Sequence, residues 1–403
     1  MLQSDKSVLD VAFKYGYETP ESFSKAFKRF HGINPRDIEC MNYKKFKPLK
    51  IQIEIKGGFV MKRKLIPNIM KIYEIPSENY MFDSCMSSVM AALGESKELD
   101  FNFFAGITGD LFVQTWKEPK WQYNDEYSSI GCNMEEPIAA AFKACGYEYE
   151  CVQRTEIEKN KSFYLEKIVE SIDHGYPVLT FGIVGPPTCS IICGYDEDGD
   201  VLIGYSQFTD ETKEENPMDL YTADKLFQTK NGLDRSEKLI FIKGKVGTPQ
   251  IADCFRNAIL NVSAIASLQT SQNGTLYFGK KAFDMWAGSL LTDEDFTNED
   301  DLLRPLDTYG SCIVMIGTNM HYMQTFFDRA AVYCPEIEMQ ITRLRNAFQN
   351  VSRALDDVTT FQGGYFFDAD RKALLKKDFR AELSRRIIRL GECYDEAIKV
   401  LDF

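Results

Sequence analysis

Cys85 is the residue whose setting best suits covalent chemistry. It follows Asp83 and Ser84 and precedes the apolar run MSSVMAAL, a pattern that predicts a helix over residues 85–93 with the cysteine at its start. A thiol at a helix N-terminus gains from the macrodipole, which favours the nucleophilic thiolate. Nucleophilic catalysis also requires a general base within hydrogen-bonding distance, usually a histidine oriented by a carboxylate or an amide.

Few residues could serve as that base. The chain has three histidines in 403 residues. His31 lies in a basic N-terminal segment, and His174 is predicted to cap the end of a helix. His321 lies beside Tyr322 in a helical region, and it alone could reach Cys85, through domain packing. Without a base, acyl transfer loses the ~10²–10⁴-fold that general acid–base catalysis supplies. The sequence therefore favours a protein that is not an enzyme.

The cysteines do not form a metal or disulfide framework. Eleven are scattered singly, mostly inside apolar runs, as expected for small buried hydrophobic residues under reducing conditions. Cys189 and Cys193 come nearest to the spacing of metal ligands, but they lack a second ligand pair. We expect no metal and no cofactor.

The apolar segments are too short for a membrane protein. No stretch approaches the roughly 20 apolar residues that span a bilayer. Residues 1–10 are polar and charged, without the apolar core of a secretion signal. We expect a cytoplasmic protein with no membrane partner.

Charge is distributed unevenly along the chain. The net charge is −13, yet residues 25–36 and 44–64 are basic, while acidic residues concentrate at 210–215 and 293–301. A strongly acidic surface excludes nucleic acid as the partner of the whole protein. Only the first sixty or so residues are suited to a phosphate backbone.

Residues 7–39 predict two short helices separated by a turn that contains glycine. Their apolar positions are Val8, Val11 and Ala12 in the first helix and Phe23, Ala26, Phe27 and Phe30 in the second. Thr19 is a candidate N-cap, Pro20 would be the first helical residue, and Gly32 would end the helix. Two helices joined by a tight turn are typical of a helix-turn-helix.

This segment closely resembles the second helix-turn-helix of AraC/XylS-type transcription regulators. The matching residues are Asp10-Val11-Ala12, Gly16-Tyr17, Phe23, Phe27-Lys28, Gly32 and Pro35. They cover about a tenth of the chain, and the first of the family's two motifs is absent. Because recognition helices read bases from their first turns, we expect DNA contacts from one set of side chains. These are Glu21, Ser22, Ser24, Lys25 and Lys28. The alternative is a helical pair without a DNA role.

Residues 68–247, after a basic linker or strand at residues 46–67, alternate strand-like and helix-like patterns. The predicted strands are 69–75, 178–183, 190–195, 201–205 and 239–243, and the predicted helices are 85–93, 135–145 and 164–174. Residues 196–199 predict a hairpin turn, and residues 175–177 separate a helix from a strand. Helices followed by an antiparallel sheet indicate the α+β class.

This region resembles papain-like folds, specifically the butirosin-biosynthesis H (BtrH) acyltransferase group and related bacteriocin-processing peptidases. The matching stretches are residues 83–93, 279–287 and 326–331, and the likeness spans about three quarters of the chain. The resemblance implies that Cys85 stands at the nucleophile's position. Cys189 stands where the family has its histidine, and Tyr205-Ser206 where it has an aspartate. It therefore implies a degenerate enzyme.

A cleft without catalytic residues can still bind a small molecule. In a papain-like fold it would lie between the cysteine helix and the sheet, and Trp116 and Trp121 could form an aromatic wall. The expected ligand-binding residues are Cys85, Met86, Trp116, Trp121, Cys189, Tyr195 and Tyr205. Simple packing is the alternative for both tryptophans.

Residues 248–403 are predicted to be helical. The last helix has one apolar stripe, formed by Leu383, Ile387, Leu390, Tyr394, Ala397 and Leu401. Such a stripe could close a bundle within the chain or form a homodimer, and the bundle is the more common outcome.

Together these patterns predict an α+β protein in four segments. They are a partial helix-turn-helix (1–45), a basic linker or strand (46–67), a papain-like α+β domain without its catalytic histidine (68–247) and a helical domain (248–403). We expect a DNA-binding transcription regulator that binds an unknown small-molecule effector. The alternatives are an active cysteine acyltransferase or hydrolase that uses Cys85 as its nucleophile, and an adaptor that does not bind DNA.

Overall fold

The fold is mixed α+β. A computed structural model describes residues 7–14, 16–17, 19–31, 33–36, 62–70, 72, 78–121, 135–185, 187–208, 226–266, 274–365, 367 and 369–402. Within these residues a seven-stranded antiparallel sheet is followed by C-terminal helices, so the predicted α+β class is confirmed. The chain divides into two compact units, residues 1–60 and 61–403. The predicted segment boundaries at residues 45, 67 and 247 stay predictions.

Helices and strands are numbered here in chain order over the described residues. The helices are α1 (Val8–Lys14), α2 (Pro20–His31), α3 (Met81–Ala92), α4 (Phe101–Thr108), α5 (Glu135–Cys145), α6 (Arg154–Lys159), α7 (Lys161–Asp173), α8 (Ile251–Leu260), α9 (Val262–Ala266), α10 (Gly279–Ser289), α11 (Leu303–Tyr333), α12 (Glu338–Gln362) and α13 (Lys377–Ile398). The strands are β1 (Lys64–Leu65), β2 (Thr115–Lys117), β3 (Tyr147–Gln153), β4 (Val178–Phe181), β5 (Cys189–Asp196), β6 (Val201–Tyr205), β7 (Phe227–Thr229), β8 (Lys238–Lys245) and β9 (Leu276–Phe278).

The first unit contains α1 and α2. The predicted start of α2 at Pro20 is confirmed, because the backbone N–H of Ser22 donates to Thr19 Oγ1 over 3.2 Å, the contact of an N-cap. The predicted stop at Gly32 lies outside the described residues.

Apolar side chains join the two helices of the first unit. Ala12 of α1 is fully buried, and Phe23 of α2 is 7% exposed. The ring of Tyr17, in the turn, meets Phe23 edge-on with 5.4 Å between centroids. These contacts fix the side of α2 that faces α1 and leave its other side exposed.

The large sheet lies at the centre of the second unit. Its strand order is β3-β8-β4-β5-β6-β7, and every pairing is antiparallel. The predicted hairpin between β5 and β6 is confirmed, and Asp198 and Gly199 in its turn have positive φ angles of 59° and 111°. The predicted break between α7 and β4 is also confirmed.

Strand β1 attaches the start of the described second unit to the sheet. Lys64 and Leu65 pair with Tyr195 and Gly194 of β5, beyond the end of β4. Charged contacts reinforce this short strand, since Arg63 forms an ion pair with Asp196 at 3.0 Å. The last residues of the predicted linker, 62–67, are therefore described as part of this unit, while residues 46–61 lie outside the described chain.

One predicted strand is wrong where the structure describes it. Ile69, Met70 and Ile72, within the predicted strand 69–75, do not lie in a strand, and the other residues of that segment lie outside the described chain. Ile69 and Ile72 are buried by packing alone. The carbonyl of Met70 accepts a hydrogen bond from Ser88 Oγ at 2.7 Å. A side chain of α3 therefore satisfies a backbone group that a neighbouring strand would satisfy in a sheet.

The C-terminal helices pack on one another and continue the core of the sheet. Five members of the predicted apolar stripe are buried in α13, which packs against α10 and α12, so this stripe contributes to a bundle within the chain. Leu401 lies beyond the end of α13 and is half-buried. In the described part of the chain, no helix combines the length and apolarity that crossing a bilayer requires.

The contact between α13 and α10 yields a stability prediction. A Cβ atom at Gly391 would lie 2.6 Å from Phe283 Cβ, whereas one at Gly288 would meet nothing within 4 Å. We expect Gly391→Ala to lower the free energy of unfolding by about 1–3 kcal/mol, because overpacking outweighs the helix propensity of alanine. Gly288→Ala, the matched control, should be neutral or stabilising by up to about 1 kcal/mol. Urea denaturation followed by circular dichroism measures both changes, and equal stabilities would contradict the packing argument.

Candidate functional site

Cys85 lies one turn inside a helix. Helix α3 begins at Met81, four residues before the cysteine, so the expected position at the helix N-terminus is wrong. The field of a helix terminus falls off within the first turn. Cys85 has no exposed surface and α3 packs against β5, so the thiol lies between the helix and the sheet.

A second thiol lies beside the first. Cys189 begins β5, is 1% exposed, and is close enough to Cys85 for a hydrogen bond between the side chains. Burial raises the pKa of the Cys85 thiol well above its ordinary value, and the contact with Cys189 raises it further. The expected promotion of the thiolate by the helix is therefore wrong, since desolvation dominates.

A pair of carboxyl groups lies next to the thiols, and sequence reasoning missed it. Burial raises the pKa of Asp83 well above its ordinary range, followed by the charge of Asp110 and a hydrogen bond between the two carboxyl groups. Thr108 Oγ1 donates to Asp83 Oδ1 at 3.2 Å. Asp83 in this environment favours its protonated form, which can share a hydrogen bond with Asp110. An available signal was the presence of both acids within otherwise apolar segments.

The C-terminal helices close this cluster. The hydroxyl of Tyr80 and the amide oxygen of Asn319, in α11, form a buried hydrogen bond, and Asn319 Nδ2 donates to the carbonyl of Val113 at 2.9 Å. The hydroxyl of Tyr394, in α13, donates to the carbonyl of Phe112. Burial, and then the charge of Asp110, raises the pKa of Tyr80 well above its ordinary value. Tyr80, Asn319 and Tyr394, which close the cluster, are thus buried and uncharged.

The histidines of the second unit have other environments. His174 caps α7 as predicted, with Nδ1 2.8 Å from the carbonyl oxygen of Glu170. His321 is exposed on α11, and its ring meets Tyr322 edge-on at 4.9 Å. Cys85 is fully buried, and within the described residues no hydrogen bond joins either imidazole to its thiol.

The remaining candidates on α3, β5 and β6 are largely buried. Met86 has no exposed surface, and Tyr205, at the end of β6, is half-buried. Tyr195 is fully buried, and its hydroxyl donates to Asp173 Oδ1 at 2.9 Å. The ammonium of Lys62 lies 5.6 Å from the centre of the same ring. Tyr195 thus holds α7 and the β1 segment against β5.

The two tryptophans have buried structural contacts. Trp116 and Trp121 are 1% and 7% exposed, and their rings meet edge-on at 5.5 Å. Trp116 Nε1 donates to Glu118 Oε1 and Trp121 Nε1 to Asp295 Oδ2, each at 2.9 Å. Trp121 also packs on Phe296. Packing therefore accounts for both tryptophans, while their predicted role as a ligand wall stays a prediction.

Sequence reasoning also missed an open groove. It lies between α4, α5 and α8, has a volume of about 530 Å³, and is lined by Ile107, Ala139, Ala140, Lys143, Ala144, Gln250, Asp253, Cys254, Asn257, Ala258 and Asn261. Its lining residues lie in or next to three helices, and α8 follows α5 by more than a hundred positions, so no local pattern in the sequence indicates the groove.

In the first unit, the expected DNA-contacting residues lie on α2. Glu21, Ser22, Lys25 and Lys28 are exposed, and Ser24 is half-buried. The hydroxyl of Ser22 donates to the carbonyl of Thr19 at 2.8 Å, so it also takes part in the helix cap. Arg29 is exposed as well, and sequence reasoning did not include it.

No family model matches the chain, and no curated protein matches it. Any function assigned to the chain therefore depends on the residues and contacts described above.

The buried thiol leads to a reactivity prediction. We expect iodoacetamide to modify Cys85 in the folded protein at least about tenfold more slowly than the exposed Cys151, because the buried thiol stays protonated. In denaturant both cysteines should react at similar rates. Mass spectrometry of tryptic peptides gives the two rates, and fast labelling of Cys85 without denaturant would instead favour an active cysteine enzyme.

The buried carboxyl pair leads to a pH prediction. Because the pKa of Asp83 is raised in the folded state, the folded chain binds a proton that the unfolded chain releases above about pH 4. The free energy of unfolding should therefore fall as pH rises, by up to about 1.4 kcal/mol per pH unit for this proton.

Asp83→Asn should remove that part of the pH dependence and be at least as stable as the wild type at pH 8, because an amide can still accept from Thr108 and donate to Asp110. Thr108→Val, which keeps the acid pair, should retain the slope. Urea denaturation between pH 5 and pH 8 measures both. An Asp83→Asn variant with the wild-type slope would refute the assignment of the proton.

Proposed function

We propose that this chain is a DNA-binding regulator, and that its second unit is a catalytically silent papain-like module that senses a small molecule. The observation that carries the proposal is the exposed basic face of α2, on a helix whose opposite side is fixed by buried contacts with α1.

The basic face consists of Lys25, Lys28 and Arg29. Lys25 lies three residues before Lys28 and four before Arg29, so all three side chains share one side of α2. All three are exposed, and within the described residues none of them forms an ion pair with a carboxylate. Cations without local partners can neutralise phosphates and release counterions, which supplies sequence-independent affinity for DNA.

The contacts around Cys85 support the proposal that the second unit is catalytically silent. Helix α3 packs against β5, as the cysteine helix and the sheet do in the papain-like arrangement that the sequence resembles. Cys189, at the position implied for the catalytic histidine, lies beside Cys85. A buried thiol does not replace an imidazole as the general base at neutral pH. These contacts favour recognition over acyl transfer.

The DNA proposal is tested by removing charge from α2. Lys25→Ala combined with Lys28→Ala should weaken binding to the protein's own upstream promoter roughly tenfold at low salt and reduce the slope of log K against log salt by about 2. Lys281→Ala combined with Lys376→Ala removes the same charge from exposed positions of the second unit and should leave binding unchanged.

Fluorescence anisotropy of a labelled duplex measures these affinities. Equal affinities for both double variants would contradict a DNA-contacting role for α2. Electrostatic binding to DNA is strong at low salt, on the order of 50 mM. If the wild type did not bind DNA under that condition, the result would favour the alternative of an adaptor that does not bind DNA.

A further inference from the structure

We propose that the groove between α5 and α8 binds a small organic anion with an apolar body. The inference rests on the ligand-sensing half of the proposed function and names the place and the ligand class. The volume of the groove, about 530 Å³, falls within the range of about 300–1,000 Å³ typical of small-molecule sites.

The floor of the groove favours an apolar body. This floor, the apolar part of the lining, consists of Ile107 and four alanines that extend no further than Cβ, Ala139, Ala140, Ala144 and Ala258. Small side chains leave the space above them open, and an apolar group placed there would remove hydrocarbon surface from water. The groove therefore suits a ring or a short alkyl chain.

The charge of the groove favours an anion. Asp253, the carboxylate of the lining, pairs with Arg256, whose guanidinium also contacts Glu336. Lys143 is exposed, and in the part of the chain that the structure describes it forms no ion pair. An ammonium without a local carboxylate can bind the acidic group of a ligand through charge-assisted hydrogen bonds.

The thiol of Cys254, in the wall of the groove, does not compete with a ligand for the ammonium of Lys143. Burial, and then the charge of Asp253, raises the pKa of the Cys254 thiol to about 11, although the nearby ammonium of Lys143 lowers it. The thiol is therefore neutral at physiological pH. Gln250, Asn257 and Asn261 also line the groove with amide groups, and those of Gln250 and Asn261 donate to backbone carbonyls.

The groove is held open by the backbone at its end. The N–H groups of Val246 and Gly247 donate to the carbonyl of Gly146 at 2.8 and 3.1 Å, immediately after α5. Gly146 has φ +74°, and a Cβ atom there would lie 2.5 Å from the carbonyl oxygen of Gly247. This contact joins the end of α5 to the segment that leads into α8, so the walls are fixed before a ligand arrives.

The test uses 1-anilinonaphthalene-8-sulfonate, a fluorescent probe with an apolar body and one anionic group. We expect saturable binding to the full-length protein. Lys143→Gln should weaken it about fivefold, since loss of one charge contact is worth about 1 kcal/mol. Ala140→Leu should weaken binding by filling the floor. Lys281→Gln, the matched control on α10, should bind like the wild type.

Thiol labelling locates the probe. At a probe concentration about ten times its Kd, modification of Cys254 by N-ethylmaleimide should slow about tenfold, while that of the exposed Cys151 should not change. Wild-type probe affinity in both Lys143→Gln and Ala140→Leu, or unprotected Cys254, would overturn the proposal.

The DNA-binding assay separates this result from the proposed function. The expected weakening of probe binding in Lys143→Gln and protection of Cys254, with no DNA binding by the wild type, would support the groove and refute the DNA-binding half. Wild-type DNA binding with no protection of Cys254 would refute the groove alone.

Discussion

Two carboxyl groups, Asp83 and Asp110, are hydrogen-bonded to each other in the core of the second unit beside Cys85, and burial raises the pKa of Asp83. A buried acid pair is tolerated only when at least one member stays neutral, so its surroundings must supply hydrogen bonds and exclude water. Thr108 supplies a hydrogen bond to Asp83, and Tyr80 and Asn319, which bond to each other, help to bury the pair. The same dry environment keeps the thiol protonated two residues further along α3.

The second unit contains a buried cluster around Asp83 and Asp110 and an open groove beside α5. The C-terminal helices cover the buried cluster, since Tyr394 reaches from α13 to the backbone of Phe112. The groove beside α5 has the opposite character, with an apolar floor, a cation and a wall already fixed by backbone contacts. A ligand would therefore find room at the groove without disturbing the acid pair.

Local patterns in the sequence predicted the elements well and the site only in part. The cap at Thr19, the β5–β6 hairpin and the stripe of α13 follow from short-range spacing, and the structure contains all three. The pairing of β2 with β9 was missed, because its strands are three residues long and their partners are far apart in sequence. The carboxyl pair was missed for a related reason, since its two acids lie 27 positions apart and meet only through packing.

Strand β1 has a practical consequence for shortening the protein. Lys64 and Leu65 cover the part of β5 that β4 does not reach, where Gly194 and Tyr195 would otherwise present open backbone groups. A fragment that began at residue 68 would expose this apolar edge, which is a template for association with another chain. A fragment that began at or before residue 62 would keep the edge covered and retain the charged side chains that hold the cover in place.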